Sequence, residues 1–139
     1  MENMDKNRQR AVWQRVMDTP RSREDGFDLF VPALTLHNAY RQLSGSLPEA
    51  KRLYEEQGQT LCCLKGLMRL AGRSVPSPRP SPPGQQSMEK LLIFCYRQSR
   101  QAAAEYLARS ADPETGIVFR HLSDREIAHC VTLAALLGK

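Results

Sequence analysis

The chain has 139 residues, of which 41% are hydrophobic and 25% charged, and this composition favours one soluble globular domain. It contains no apolar run near the roughly 20 residues that a membrane-spanning helix needs, and its first ten residues are polar, so we expect a cytoplasmic protein without a membrane partner. The net charge of +5 comes from dispersed basic residues, which argues against nucleic acid as the partner because binding favours one concentrated basic surface.

The first predicted element is a short amphipathic helix over residues 5–18. Its apolar residues recur at helical spacing and are Val12, Trp13, Val16 and Met17. Pro20 ends it, because the residue before a proline is pushed out of the helical region. We assign residues 1–26 to this N-terminal helix and its loop.

A first helical hairpin is predicted over residues 27–71. Its first helix, residues 27–43, has an apolar face with a spacing of three or four, formed by Phe30, Ala33, Leu36, Tyr40 and Leu43. Its second helix is predicted to begin at Ser46, since a serine, a proline two residues later and Glu49 three residues later form a capping pattern. Gly72 is the expected C-terminal cap.

The next stretch, residues 73–86, contains five prolines and is predicted to be an extended connection. At about 3.1 Å per residue, residues 72–87 span up to roughly 50 Å, whereas the second helix is only about 36 Å long. The connection can therefore cross the whole length of a helical bundle. The alternative function for this stretch is a PxxP ligand for a partner domain.

A second helical hairpin is predicted after the connection. Its first helix covers residues 87–110, and Asp112 followed by Pro113 starts the next segment, which Gly138 ends. Two hairpins joined by one long crossover have the connectivity of a ferritin-like fold. We therefore predict an all-α, ferritin-like four-helix bundle over residues 27–139, with an extra N-terminal helix.

The last helix carries a Glu-x-x-His pair, Glu126 and His129, on its apolar face. The second helix repeats the pattern without these two residues. The matching positions are Leu53, Gln57, Thr60, Leu64 and Leu67 in the second helix, and Leu122, Glu126, His129, Leu133 and Leu136 in the last. Shifting the second helix by one residue would offer Glu56 and Gln59 instead. We prefer Gln57 and Thr60, because the leucines then align.

With Tyr40 and Tyr106 in the preceding helices, this pattern resembles the rubrerythrin branch of the ferritin-like superfamily. That resemblance implies two irons, held by two repeats of a glutamate seven residues before a tyrosine and a Glu-x-x-His pair. It also implies peroxide reduction, iron oxidation or related redox chemistry. In this chain the two glutamate positions fall on Ala33 and Ser99, which cannot bridge metal ions.

Only two of the six implied ligands are therefore present, and a di-iron centre is not expected. We predict a rubrerythrin-like protein of unknown specific role that binds one iron, manganese or zinc ion, or none, with weak or lost oxidoreductase activity. Its metal ligands would be Glu126 and His129, with His37 and Gln57 as further candidates. His121, two turns before His129, is expected at the surface.

Two alternatives remain open. Glu126 and His129 can instead be a hydrogen-bonded polar pair in a bundle core, and the protein a non-catalytic interaction module that acts as a homodimer or scaffold.

Four cysteines are present without a Cys-x-x-Cys pair, which argues against an iron–sulfur or zinc-ribbon site. We expect them to be small buried apolar side chains: Cys62, Cys63, Cys95 and Cys130.

Overall fold

The structure is a computed structural model that describes residues 27–75 and 87–138. These residues form four helices, and no strand is present among them: α1 Phe27–Ser44, α2 Ala50–Leu70, α3 Met88–Arg109 and α4 Gly116–Leu137. The all-α prediction is confirmed for this part of the chain. The predicted N-terminal helix and most of the proline-rich connection lie outside the described residues. Among the described helices, none combines the length and apolar character needed to cross a bilayer.

Local signals account for three of the helix ends. The Ser87 hydroxyl caps α3 by accepting the Lys90 N–H at 3.2 Å. Gly72, just after α2, has a φ of 75°, the left-handed conformation that glycine adopts most easily. At the start of α4, a Cβ on Gly116 would lie 2.1 Å from the Ser110 carbonyl oxygen. Gly116 therefore lets the α3–α4 turn close tightly.

The predicted start of α2 is wrong. The helix begins at Ala50, and its N-cap is Glu49, whose side chain makes no capping hydrogen bond. Ser46 lies in the turn that follows α1, where its backbone N–H bonds to the Leu43 carbonyl at 3.0 Å, and the Ala50 N–H bonds to the Leu47 carbonyl rather than to Ser46. The proline-containing turn that follows delays α2 by about one helical turn.

The four helices form two antiparallel hairpins that pack side by side. Leu29 near the start of α1 shares an apolar cluster with Tyr106 near the end of α3, so these two helices are antiparallel. Arg109 reinforces that contact, since it bonds Asp28 at 2.6 Å and Glu105 at 2.8 Å. Helices α2 and α4 are antiparallel in the same way.

These directions fix the path of the chain. Because α2 and α3 run the same way, the end of one and the start of the other lie at opposite ends of the bundle. The segment between Leu70 and Met88 therefore joins opposite ends of the bundle.

The core has two apolar clusters, one toward each end of the bundle. Between them along the helices lie buried polar side chains, which we call the polar layer: Gln57, Thr60, Ser99, Ser123, Glu126 and His129. All four helices surround this layer, because Ala33 and Tyr40 of α1 are also buried at its level. The fold thus places polar groups at the centre of an otherwise apolar core.

Candidate metal site

The structure confirms the preferred register of α2. Gln57 and Thr60 are fully buried in the polar layer, as are Glu126 and His129 at the equivalent positions of α4. Gln59, from the alternative register, is exposed. Glu56 lies at the edge of the layer, with 30% of its side chain exposed. The hydrophobic periodicity therefore identified correctly which side chains face inward.

Glu126 is completely buried, with 0% exposure. The Ser99 hydroxyl donates to its Oε2 at 2.5 Å, while its Oε1 has no hydrogen-bond donor among the described residues. A buried carboxylate is stable only when its oxygens are paired, because it has lost its hydration. One oxygen of Glu126 thus remains available to a cation or another donor.

His129 lies between two carboxylates, and its side chain is 1% exposed. Its Nδ1 is 3.5 Å from Glu126 Oε2, and its Nε2 is 3.4 Å from Glu56 Oε1. Neither nitrogen has a hydrogen-bond partner by geometry within the described residues. The edge of the ring contacts Tyr40, with ring centroids 5.6 Å apart and an interplanar angle of 86°.

Two further polar atoms of this layer lack partners in the described part of the chain, namely Gln57 Oε1 and the Tyr40 hydroxyl. The Gln57 amide nitrogen donates to the Ala33 carbonyl at 3.0 Å, which turns the α2 side chain toward α1. Burial, and then the negative charge of Glu126, raises the pKa of Tyr40 and of Tyr106. Both tyrosines are therefore neutral phenols at physiological pH.

Arg125 and Glu56 are site residues that the sequence reasoning missed or set aside. Arg125 reaches across from α4 and donates to the Thr60 hydroxyl at 3.0 Å and to the Glu56 carbonyl at 3.4 Å. Both residues precede a layer residue by one position. The sequence could have indicated both residues, because a long side chain next to an inward-facing position can extend back toward the core.

The other histidines lie elsewhere. His37 is half-buried, and its ring stacks on Tyr54 with centroids 4.5 Å apart, so the structure does not bring this candidate ligand to Glu126 or His129 through any described contact. Burial, and then the charges of Arg41 and Lys65, lowers the pKa of His37. His121 is exposed, as predicted, and contacts Arg125.

The expectation for the cysteines is correct only for Cys95. It is fully buried, and that burial raises the pKa of its thiol to about 12. Cys63 and Cys130 are half-buried and Cys62 is exposed, all with free thiols. Cys62 faces solvent because it follows two consecutive inward-facing residues, Thr60 and Leu61, which turn it to the outside of α2.

The donor geometry can be tested against a metal ion. Two ligands of a tetrahedral zinc-type ion, each about 2.1 Å from it, are about 3.4 Å apart. The 3.5 Å between His129 Nδ1 and Glu126 Oε2 fits that spacing. The described residues contain no group of three or more histidine, cysteine or acidic side chains arranged for one ion. A single ion would need Gln57, Tyr40 or water to complete its shell.

A di-metal centre does not fit the same residues. The helix positions that would supply bridging carboxylates are the buried Ala33 and Ser99. Neither side chain can neutralise two adjacent cations.

Comparisons of the chain with protein-family models, with curated proteins and with solved structures found no match.

Proposed function

We propose that this protein is a ferritin-like, rubrerythrin-type bundle whose polar layer binds one divalent transition-metal ion in place of two irons. The observation that carries the proposal is a buried pair on adjacent turns of α4: His129 Nδ1 lies 3.5 Å from Glu126 Oε2, and Nδ1 and Glu126 Oε1 have no hydrogen-bond partner among the described residues. The crossover connectivity and the polar layer at mid-bundle support it, because ferritin-like proteins place their metals between facing helices of such a bundle.

Each residue of the site has a distinct part in this proposal. Ser99 holds one oxygen of Glu126 in place through its hydroxyl. Glu126 and His129 supply one anionic oxygen and one imidazole nitrogen, a ligand pair compatible with iron, manganese or zinc. The apolar clusters above and below the layer exclude bulk water.

A bound ion would neutralise the charge of Glu126 and could polarise a small ligand. Without bridging carboxylates the site has weak or no di-iron redox activity. We therefore propose a metal-binding protein rather than a peroxidase.

The direct test is anaerobic loading with iron, manganese or zinc, followed by elemental analysis of the desalted protein. The variant is Glu126→Gln/His129→Gln, which keeps side-chain volume, and the matched control is Ser123→Ala, a buried polar residue of α4 that bonds only the Ala103 carbonyl. About one ion per chain in wild type and control, and none in the double variant, supports the proposal. About two ions per chain, or none in wild type, refutes it.

A second candidate function, a homodimer or scaffold module, is favoured by the outer face of α4. Residues 127–138 contain no acidic or basic residue other than the buried His129. Ile127 and Val131 are 51% and 66% exposed on this face. A helix that is apolar on all sides is normally covered. We propose a second copy of the chain as the cover.

Charge selects the orientation of that pairing. Arg120 and Asp124 are exposed, about two turns and one turn before Ile127, respectively. Parallel pairing of two α4 helices would place each of these charges against its own copy, whereas antiparallel pairing centred on Val131 separates them.

The face is only about 18 Å long, so the contact is smaller than the roughly 800 Å² per partner of a stable dimer. The expected dimer is therefore weak and concentration-dependent.

Sedimentation equilibrium over a range of concentrations tests this second function. Val131→Glu should abolish self-association. The control Ile117→Glu changes an 81% exposed residue in the first turn of the same helix and should leave it intact. A wild-type protein that is monomeric at every concentration excludes the dimer.

A further inference from the structure

We propose that Glu56 is a positioning residue for His129, which keeps a hydrogen on Nε2 and thereby directs Nδ1 toward Glu126. The effect of Glu56 on metal binding rests on the proposed function, whereas the position of the hydrogen on the His129 ring does not depend on it. Glu56 belongs to the α2 register that the leucine pattern disfavours, and its role comes entirely from how α2 packs on α4.

The two carboxylates approach different nitrogens of the His129 ring. Glu56 Oε1 lies 3.4 Å from Nε2, and Glu126 Oε2 lies 3.5 Å from Nδ1. The two nitrogens are on different edges of one rigid ring, with lone pairs that diverge. One ion therefore cannot bind both nitrogens.

The Nε2 edge of the ring faces Glu56. His129 is buried, so water does not solvate Nε2. A bare lone pair there would face the Glu56 carboxylate and be repelled by it, even though Glu56 Oε1 also has Arg52 Nε 3.6 Å away. A hydrogen on Nε2 turns the same contact into a charge-assisted interaction. Among the described residues, Glu56 supplies the carboxylate oxygen 3.4 Å from Nε2, an ion-pair contact that does not meet hydrogen-bond geometry.

The Nδ1 edge of the ring faces Glu126. There the carboxylate already receives a hydrogen bond from Ser99, and Glu126 Oε1 is still unpaired. A metal ion or a second ring hydrogen can occupy the space between Nδ1 and Glu126. Because Glu56 keeps the hydrogen on Nε2, the Nδ1 edge is the side of the ring where a hydrogen and a metal ion can replace each other. Metal-bound histidines commonly donate their other ring N–H to a carboxylate in this way.

The experiment is a multiple-bond ¹H–¹⁵N spectrum of the metal-free protein at neutral pH, with the His129 signals assigned by their loss in His129→Gln. The variants are Glu56→Gln, which keeps an oxygen acceptor, and Glu56→Ala, which removes it. The matched control is Glu55→Ala, at the neighbouring exposed position of α2. We expect a protonated Nε2 in wild type, Glu56→Gln and the control, and loss of that preference in Glu56→Ala.

An unprotonated Nε2 in wild type, or an Nε2 unchanged by Glu56→Ala, overturns the inference. Chelator competition with zinc gives the second readout. Glu56→Ala should weaken binding about 10- to 100-fold, the usual range for loss of such a partner, and Glu56→Gln much less. If wild type binds none of iron, manganese or zinc, the proposed function fails, while the nitrogen spectrum still decides whether Glu56 positions His129.

Discussion

The two hairpins present the same geometry with different chemistry. In the first, the Gln57 amide donates to the Ala33 carbonyl at 3.0 Å, and in the second, the Ser99 hydroxyl donates to the Glu126 carboxylate at 2.5 Å. Each contact joins equivalent positions of the two helices in a hairpin. The first pair is neutral, whereas the second includes a buried carboxylate.

The next layer position in each hairpin shows the same contrast. The Thr60 hydroxyl donates to the Glu56 carbonyl at 3.4 Å and accepts from Arg125 at 3.0 Å. His129, at the equivalent position, has no hydrogen bond among the described residues on either nitrogen. Each hairpin leaves buried polar atoms without partners among the described residues: Gln57 Oε1 and the Tyr40 hydroxyl in the first, and Glu126 Oε1 and both His129 nitrogens in the second. The second hairpin differs because its unpaired atoms include a carboxylate oxygen beside an imidazole, a pair that an added ion could bind. The capacity for chemistry lies in the α3–α4 hairpin.

The largest expected difference between the hairpins is in thiol reactivity. Cys62 of α2 is exposed, whereas burial raises the pKa of Cys95 of α3 from about 9 to about 12. Burial therefore disfavours the reactive thiolate of Cys95 and also blocks access of a reagent to it. Timed labelling with a maleimide and peptide mapping should show modification of Cys62 well before that of Cys95. Comparable rates for the two thiols would mean that the α3 side of the core opens readily.

A matched pair of cavity variants tests whether the hairpins share one core. Leu64 in α2 and Leu133 in α4 are equivalent positions, and both are fully buried. Leu64→Ala and Leu133→Ala should each lower the free energy of unfolding by about 2–5 kcal/mol. Urea denaturation followed by circular dichroism and by tyrosine fluorescence should give one coincident transition in both variants. Separate transitions would show that the hairpins unfold independently.

A third prediction sharpens the contrast between the neutral and the charged pair. In metal-free protein, Glu126→Met should raise the free energy of unfolding by about 1–3 kcal/mol, because it removes a buried charge. The Ser99 hydroxyl keeps an acceptor in this variant, since the backbone carbonyl of residue 126 is 3.2 Å away. Gln57→Met should change this free energy by less than about 1 kcal/mol, because the lost hydrogen bond to the Ala33 carbonyl is offset by removal of the unpaired Oε1. Thermal and urea unfolding measure both. Destabilisation by Glu126→Met would show that the carboxylate is a structural group.

The smallest expected effect is the pH dependence contributed by His37. Its pKa is lowered in the folded state, so the unfolded chain binds more protons as the pH falls through about 6.5. The stability contribution of neutral His37 is therefore present above that pH and decreases below it. His37→Gln should flatten the stability profile slightly between about pH 7 and 5. Urea titrations at several pH values measure this slope, and His121→Gln, at an exposed position, is the control. A profile unchanged by His37→Gln contradicts the prediction.

Much of the fold follows from periodicity alone. The spacing of leucines identified the inward faces of α2 and α4, and therefore the burial of Gln57, Thr60, Glu126 and His129. The start of α2 was predicted wrongly, because a capping pattern is local and cannot show that Ser46 already belongs to the end of α1.

Three features could be read from the amino-acid sequence: the four helices within residues 27–75 and 87–138, a proline-rich stretch between the second and third of them, and alanine and serine instead of carboxylates at positions 33 and 99. The surroundings of His129 depend on the tertiary structure. Glu56 approaches its Nε2 from α2, and Arg125 fills the equivalent place beside Thr60. A helical repeat specifies which face is buried, but not how far two helices slide and rotate against each other. Contacts between residues about seventy positions apart depend on that packing, and so do the atoms left without partners.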